Sequence, residues 1–238
     1  MTHQLAAQTP RRGLDENGRR RLVQVMGMVV VYGMCLFIPA GTLRWWNAWL
    51  YLGLFLFSIL TGGLYVARKN PAIINERGRK SENTKPFDKL FGKLTVPLAL
   101  GAYVVAGLDY RFGWSAMPLW LEAVGFVGLL PGLFMPYWVM LVNAYAATTV
   151  RVETDRGQHV VTSGPYRYVR HPMYSTAILG YLFAPLAFGS WWVALPAFAL
   201  IGLFIWRTAN EDRTLRAELP GYEAFARQTP YRLLPGLW

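Results

Sequence analysis

Charge is scarce in this sequence, and acid scarcer still. Only 16% of its 238 residues are charged, whereas a soluble domain carries about a quarter. Lys and Arg number 24 against 13 Asp and Glu, for a net charge of +11. Such a basic excess would suit a nucleic-acid partner if it lay on one amphipathic face. Here the cations sit between apolar blocks, which reads instead as loops that fix orientation and meet anionic head groups, with no nucleic-acid partner expected. The single cysteine, Cys35, excludes a disulfide within the chain and a cysteine-cluster metal site. Three scattered histidines without an H-E-x-x-H pattern make a metal centre unexpected. No G-x-G-x-x-G follows a strand, and there is neither a P-loop nor a serine nucleophile elbow. Linker-like Gly/Ser or Pro stretches and internal repeats are also missing, so a single domain is expected.

What is abundant is apolar sequence in long blocks. About 20 apolar residues cross the hydrocarbon core as a helix. Candidate spans are Leu22–Gly41, Trp46–Val66, Leu94–Leu108 and Leu119–Val142. Trp45, Trp46 and Trp49 sit as interfacial anchors at the start of the second. Two shorter blocks, Tyr174–Phe188 and Trp191–Trp206, are separated only by Gly189 and Ser190 and predict a tight helical hairpin. The fold expected is all-α: a polytopic transmembrane bundle of about six crossings, five remaining open, with a C-terminal cytosolic helical tail. With six crossings, 22 of the 24 Lys and Arg fall on one side and only Arg44 and Arg111 on the other. By the positive-inside rule both termini and both long loops are cytosolic, in the plasma or inner membrane if the chain is bacterial. Gly125, Gly128 and Gly132 give the fourth helix a small-residue face that suits close helix packing without implying a dimer. Asn70, Pro71 and Gly78 read as cap, first turn and stop of a short surface helix.

Polar residues gather in two places. The first runs from Arg151 to Tyr174 and holds Gly157, His159, Gly164-Pro165-Tyr166, Arg167 and Arg170-His171-Pro172. Pro172 pushes His171 toward extended backbone and suits the first position of a helix. Arg170 and His171 are therefore expected at a cytosolic helix start, whose free N–H groups favour an anion. The plain alternative is a basic loop touching head-group phosphates. The second cluster is Arg207, Asn210, Glu211, Asp212, Arg213 and Arg216. Its carboxylates either offset the arginines locally, as Asp212 with Arg216 at i,i+4, or point back toward the Arg-His-Pro corner. The hairpin permits the latter because its two ends return to one membrane face.

These residues resemble the membrane-embedded isoprenylcysteine carboxyl methyltransferases and their bacterial relatives, with the phospholipid N-methyltransferases nearby. The resemblance rests on His159, Val161-Thr162-Ser163-Gly164-Pro165-Tyr166, Arg170-His171-Pro172-Met173-Tyr174, Glu211-Asp212, Tyr222, and Arg232 with Pro235. It covers the C-terminal third closely. Asp212 replaces a second Glu, with a shorter side chain, and Phe225 replaces a second Tyr. The resemblance implies a four-helix membrane part over residues 1–143 and a module over 144–238 that binds S-adenosylmethionine. It implies cofactor contacts from His159, Gly164, Pro165, Tyr166, His171, Pro172, Tyr174, Asn210, Glu211 and Asp212. Arg170, His171, Glu211 and Arg207 are the catalytic candidates. Glu211 would accept hydrogen bonds from the donor's ribose or amino group, and Arg170 with the helix start would hold its carboxylate. Arg207 or Arg216 would orient a carboxylate acceptor, whereas an amine acceptor would call on His171 or Glu211 as base. The acceptor implied is lipid-like: a prenylcysteine-type carboxylate, an isoprenoid or a phospholipid head group. The oligomeric state stays open. Competing readings are an NADPH-dependent reductase of the sterol-reductase type and a non-catalytic membrane scaffold.

Overall fold

The computed structural model describes residues 13–79, 84–146, 148–149 and 158–238. The stretch Arg151–Gly157, which includes Gly157 of the first polar cluster, lies outside the described residues. Helix α1 runs Glu16–Ala40. It starts six residues before the apolar block because Asp15 accepts a hydrogen bond from the Gly18 amide at 2.9 Å, a side-chain cap of an otherwise orphan donor. The basic run Arg19–Arg21 is therefore wound into the first turns of a membrane helix. Helix α2 (Trp46–Ser58) continues through a π-helical turn, Ile59–Gly63, into α3 (Leu64–Lys69). The short helix α4 (Pro71–Gly78) has Pro71 in its first turn, as expected, but Asn70 makes no side-chain cap. That cap is a correction: Asn70 sits at φ −140°, ψ 68°, outside the usual N-cap conformation.

Helix α5 is Pro86–Phe112 and α6 is Leu119–Val142. The third block thus becomes a 27-residue helix, because its polar first turns, with Asp88, Lys89 and Lys93, lie outside the purely apolar stretch yet still favour helix. The hairpin is α7 (Pro172–Ala187) and α8 (Ala194–Glu218), and α9 (Tyr222–Gln228) follows. All described secondary structure is helical. Four helical stretches, Glu16–Ala40, Trp46–Lys69, Pro86–Phe112 and Leu119–Val142, are long and apolar enough to cross a membrane. Their outer faces match that solvent: Val23, Ile38, Leu119 and Val127 are all more than 60% exposed. Prolines lie inside α1, α5, α6 and α7, which membrane helices tolerate when neighbours re-satisfy the freed backbone.

Helix α6 packs along α7, and the small residues are the reason. A Cβ on Gly125 would lie 2.3 Å from the Ala187 amide nitrogen, and one on Gly132 would lie 3.0 Å from the Gly180 Cα. The glycine face is consumed within the chain rather than left for a second copy. The hairpin turn, with Gly189 at φ +66°, is tied to the neighbouring connections. The Trp191 amide donates to Ser115 Oγ at 3.0 Å, and Asn47 Nδ2 donates to the Ala187 carbonyl at 2.8 Å and to Glu122 at 2.9 Å. Ser190 donates to buried Asp109 on α5. Gly125→Val is expected to lower the melting temperature in detergent by about 5–10 °C, since overpacking costs roughly 1–3 kcal/mol and the obstructing atom is backbone. Gly101→Ala, whose added Cβ meets nothing within 4 Å, is the matched control and should not lower it.

Candidate functional site

At the end of the bundle opposite the hairpin turn, three pieces of chain converge: the corner that starts α7, the middle of α8, and the tail from α9 onward. His171 stands before Pro172, which occupies the first turn of α7. The amides of Arg170 and His171 do not stay free, because they donate to the carbonyls of Tyr231 and Arg232 at 3.0 and 2.9 Å. Arg170 is 4% exposed. Its Nε donates to Asp212 Oδ1 at 2.7 Å and Nη2 to Oδ2 at 3.3 Å. Nη1 donates to the Thr229 and Pro230 carbonyls at 2.7 and 2.8 Å.

Asp212 is the hub of this arrangement. Besides Arg170 it accepts from Tyr222 Oη at 2.9 Å, from Arg232 Nε at 3.0 Å and from Arg216 Nε at 3.2 Å, with His171 Nε2 at 3.4 Å. Burial alone would raise its pKa. The hydrogen bonds from His171, Arg170 and Arg232 outweigh that and hold the carboxyl well below the usual range. Both sequence options for this residue are realised together: it pairs with Arg216 and also reaches the Arg-His-Pro corner.

Glu211, one position earlier on α8, faces the other way, into a cavity. Tyr174 Oη donates a short hydrogen bond to Glu211 Oε2, and His171 Nδ1 lies 4.0 Å from Oε1. The His171 and Tyr174 rings stack with centroids 5.8 Å apart and planes within 6°. Gly164, at φ +58°, opens a 3₁₀ turn (Gly164–Arg167) that delivers Tyr166. The hydroxyl of Tyr166 accepts from Asn143 Nδ2 at 2.7 Å, and burial pushes its pKa up to about 12. Tyr145 and His159 meet edge to face at 5.3 Å. Leu215, Leu219, Tyr222 and Phe225 with Val160 close the apolar side. The cavity and its open mouth together span about 840 Å³.

Of the residues singled out from sequence, His159, Tyr166, Arg170, His171, Pro172, Tyr174 and Glu211 line this cavity. Gly164 and Pro165 shape the turn behind Tyr166. Asn210 does not line it: its side-chain amide donates to the Trp206 carbonyl at 2.8 Å. Asp212 stands behind the wall. Arg170 is also held structurally: its guanidinium bonds Asp212 and the Thr229 and Pro230 carbonyls, and the amides of Arg170 and His171 bond the tail. Arg207 lies beside the cavity rather than in its lining. It pairs with Asp88 at 2.8 Å, donates to the Thr148 carbonyl at 3.0 Å and stacks over Tyr174 and Phe91. Sequence reasoning missed Asn143, Tyr145 and Gln158, which also line the cavity. Asn143 and Tyr145 were findable, as the first polar side chains after the apolar run of α6.

Four long apolar helices mark an integral membrane protein, with a polar-walled pocket at one end of its helices. Residues 124–217, covering most of α6, all of α7 and most of α8, match the isoprenylcysteine carboxyl methyltransferase (ICMT) family model. No curated protein matches the chain.

Proposed function

We propose that this protein transfers a methyl group from S-adenosylmethionine to a lipid-like acceptor at the cytosolic face of the membrane. The observation that carries the proposal is the convergence of the His171-Pro172 corner and Glu211 on one cavity, with a tyrosine hydroxyl joining them. The residues suit the donor's chemistry. Glu211 supplies a carboxylate acceptor for ribose or amino groups, Val160, Leu215 and Phe225 offer an apolar wall for a purine, and Gln158 and His159 add polar groups at the rim. We assign donor contacts to His159, Tyr166, His171, Pro172, Tyr174 and Glu211, with Gly164 and Pro165 as shaping residues, and residues 144–238 as the donor-binding module.

When bound, the donor supplies a sulfonium-activated methyl group. What the protein adds is alignment and exclusion of water. The wall of Tyr166, Tyr174 and Tyr222, backed by Phe225, excludes water, while Arg207 stands where the side wall meets the bundle, a position from which an acceptor is oriented. An anionic oxygen acceptor needs no base. For an amine, His171 Nδ1, on the side facing Glu211, is the group placed to take a proton.

In this reading the bundle crosses six times with both termini cytosolic. Helix α7 is about 24 Å long at 1.5 Å per residue, short of the roughly 30 Å core, yet its far end and the turn after it are hydrogen-bonded to the first turn of α2 and to the α5–α6 connection. A tilted or locally thinned crossing follows. With Cys35 replaced by Ala, single cysteines at Arg111 and Arg213 should react with an impermeant maleimide from opposite faces; labelling from one face would reject the six-crossing arrangement. The function itself is tested by calorimetry on the purified protein in detergent. S-adenosylhomocysteine should bind with micromolar affinity and NADPH should not; binding of NADPH alone would replace this reading with the reductase one.

A further inference from the structure

The stretch from Leu233 to Trp238 reads Leu-Leu-Pro-Gly-Leu-Trp and carries no charged side chain. Pro235 and Gly236 are the central pair of a turn. The Leu237 amide donates to the Leu234 carbonyl at 3.1 Å, and Gly236 adopts φ +84°, as the third position of a type II turn requires. Turns that meet water normally carry polar residues. Here the two flanking positions are leucines, Leu234 at 38% and Leu237 at 76% exposure, so the tip presents an apolar pair. Beyond the turn the Trp238 backbone oxygen accepts from the Arg232 and Leu233 amides at 2.6 and 3.1 Å, and the Arg232 guanidinium lies 4.6 Å over the Trp238 ring. The loop is closed and shaped.

Its depth is set by α7. Ser175 Oγ donates to the Leu233 carbonyl at 2.5 Å. Ser175 is four residues along α7 from His171, about 6 Å further into the bundle at 1.5 Å per residue. His171 faces Asp212, and α8 runs antiparallel to α7. The same step along α8 therefore reaches Thr208, two residues from Trp206, which is exposed and meets Phe87 edge to face. A tryptophan at the rim of a membrane bundle is an interfacial anchor, so the Leu233–Trp238 loop sits at the level of the head-group boundary.

We propose that Leu234, Leu237 and Trp238 form an interfacial wedge whose partner is the bilayer the protein spans, seated between head groups and acyl chains on the cytosolic side. The proposal rests on the six-crossing reading and not on methyl transfer. Apolar side chains at that boundary reach about 5–10 Å below the surface, and a Trp ring beneath a cation suits its wet edge. The wedge also supports the donor cavity. The carbonyls of Tyr231 and Arg232, just before it, accept the Arg170 and His171 amides, and Arg232 Nε donates to Asp212. Lipid contact at the tip thereby braces the corner that carries His171.

The test is the depth of a nitroxide label on the full-length protein in phosphatidylcholine nanodiscs, with Cys35 replaced by Ala and one cysteine introduced at a time. Leu237→Cys reports the wedge, Arg213→Cys is the aqueous reference, and Leu130→Cys, at an exposed position midway along α6, is the lipid reference. The label at 237 should collide with oxygen in preference to a water-soluble nickel chelate and rank between the two references. If the references separate and the label at 237 matches the one at 213, the wedge is overturned while the six-crossing reading stands. If the references read alike, that reading falls and the wedge with it. Hydrogen exchange in the same nanodiscs tests the bracing. Leu237→Asp should speed exchange at the amides of Arg170, His171, Arg232 and Leu233 by roughly tenfold, with α5 and α6 unchanged, because only the tail opens locally. Unchanged exchange at the corner, or equal acceleration throughout the bundle, would overturn the bracing role.

Discussion

Asp212→Ala is expected to unfold the C-terminal segment outright, with the melting temperature in detergent falling by about 10 °C or more. The carboxylate is 1% exposed and gathers donors from four parts of the chain: the α7 corner, its own helix, α9 and the tail. Its removal leaves Arg170, whose side chain is 2% exposed, as a buried guanidinium without a counter-charge. Breaking one side of a buried pair costs about 3–5 kcal/mol, a large part of the roughly 5–15 kcal/mol that holds a typical domain together. Arg170→Ala should do comparable damage, since it also frees the Thr229 and Pro230 carbonyls that fix the tail. A change of less than about 2 °C in either variant would reduce Asp212 to a surface charge balancing Arg216.

Acid provides a second reading of the same residue. Its carboxyl is held below its ordinary value of 3.8 in the folded protein, so the stabilisation it confers is complete above that value and is lost as the pH falls beneath it. The melting temperature of the wild type should therefore stay level from pH 7 to about pH 5 as far as this group is concerned, and drop below about pH 4. Asp212→Asn should start lower and lose most of that acid-dependent drop.

The apolar blocks were legible because the bilayer imposes a length on them, and the hairpin was legible from Gly189-Ser190 between two such blocks. Helix ends were less so. The Asp15 cap draws α1 outward, and the first turns of α5 extend through Asp88 because one face of them packs while the other meets water. Within the site, the clustering of Gly164-Pro165-Tyr166, Arg170-His171-Pro172 and Glu211-Asp212 was readable as composition. Which of two adjacent carboxylates faces the cavity was not. Neighbours on a helix point about 100° apart, and the direction is set by a partner 42 positions away, Arg170. The strut role of Arg170 was hidden for a further reason: two of its acceptors are the carbonyls of Thr229 and Pro230, and a backbone carbonyl leaves no mark in a sequence.

Glu211 offers the sharpest separation between binding and folding. Unlike Asp212, its side chain is 19% exposed, and it meets Tyr174 Oη and, at 4.0 Å, His171 Nδ1. Glu211→Gln keeps an oxygen for the tyrosine hydroxyl and removes only the charge. Hydrogen bonds to a charged group contribute about 1.5–3 kcal/mol, so the Kd for S-adenosylhomocysteine should rise roughly 10- to 150-fold while the melting temperature stays within about 2 °C of the wild type. Glu211→Ala should weaken binding at least as much, with an added stability loss because the Tyr174 hydroxyl is left without its acceptor. His171→Ala is the less clean probe, since His171 also faces Asp212 and Tyr222 and its loss should lower stability and affinity together. If both Glu211 variants bind S-adenosylhomocysteine as the wild type does, the acid on the cavity wall has no part in holding the donor.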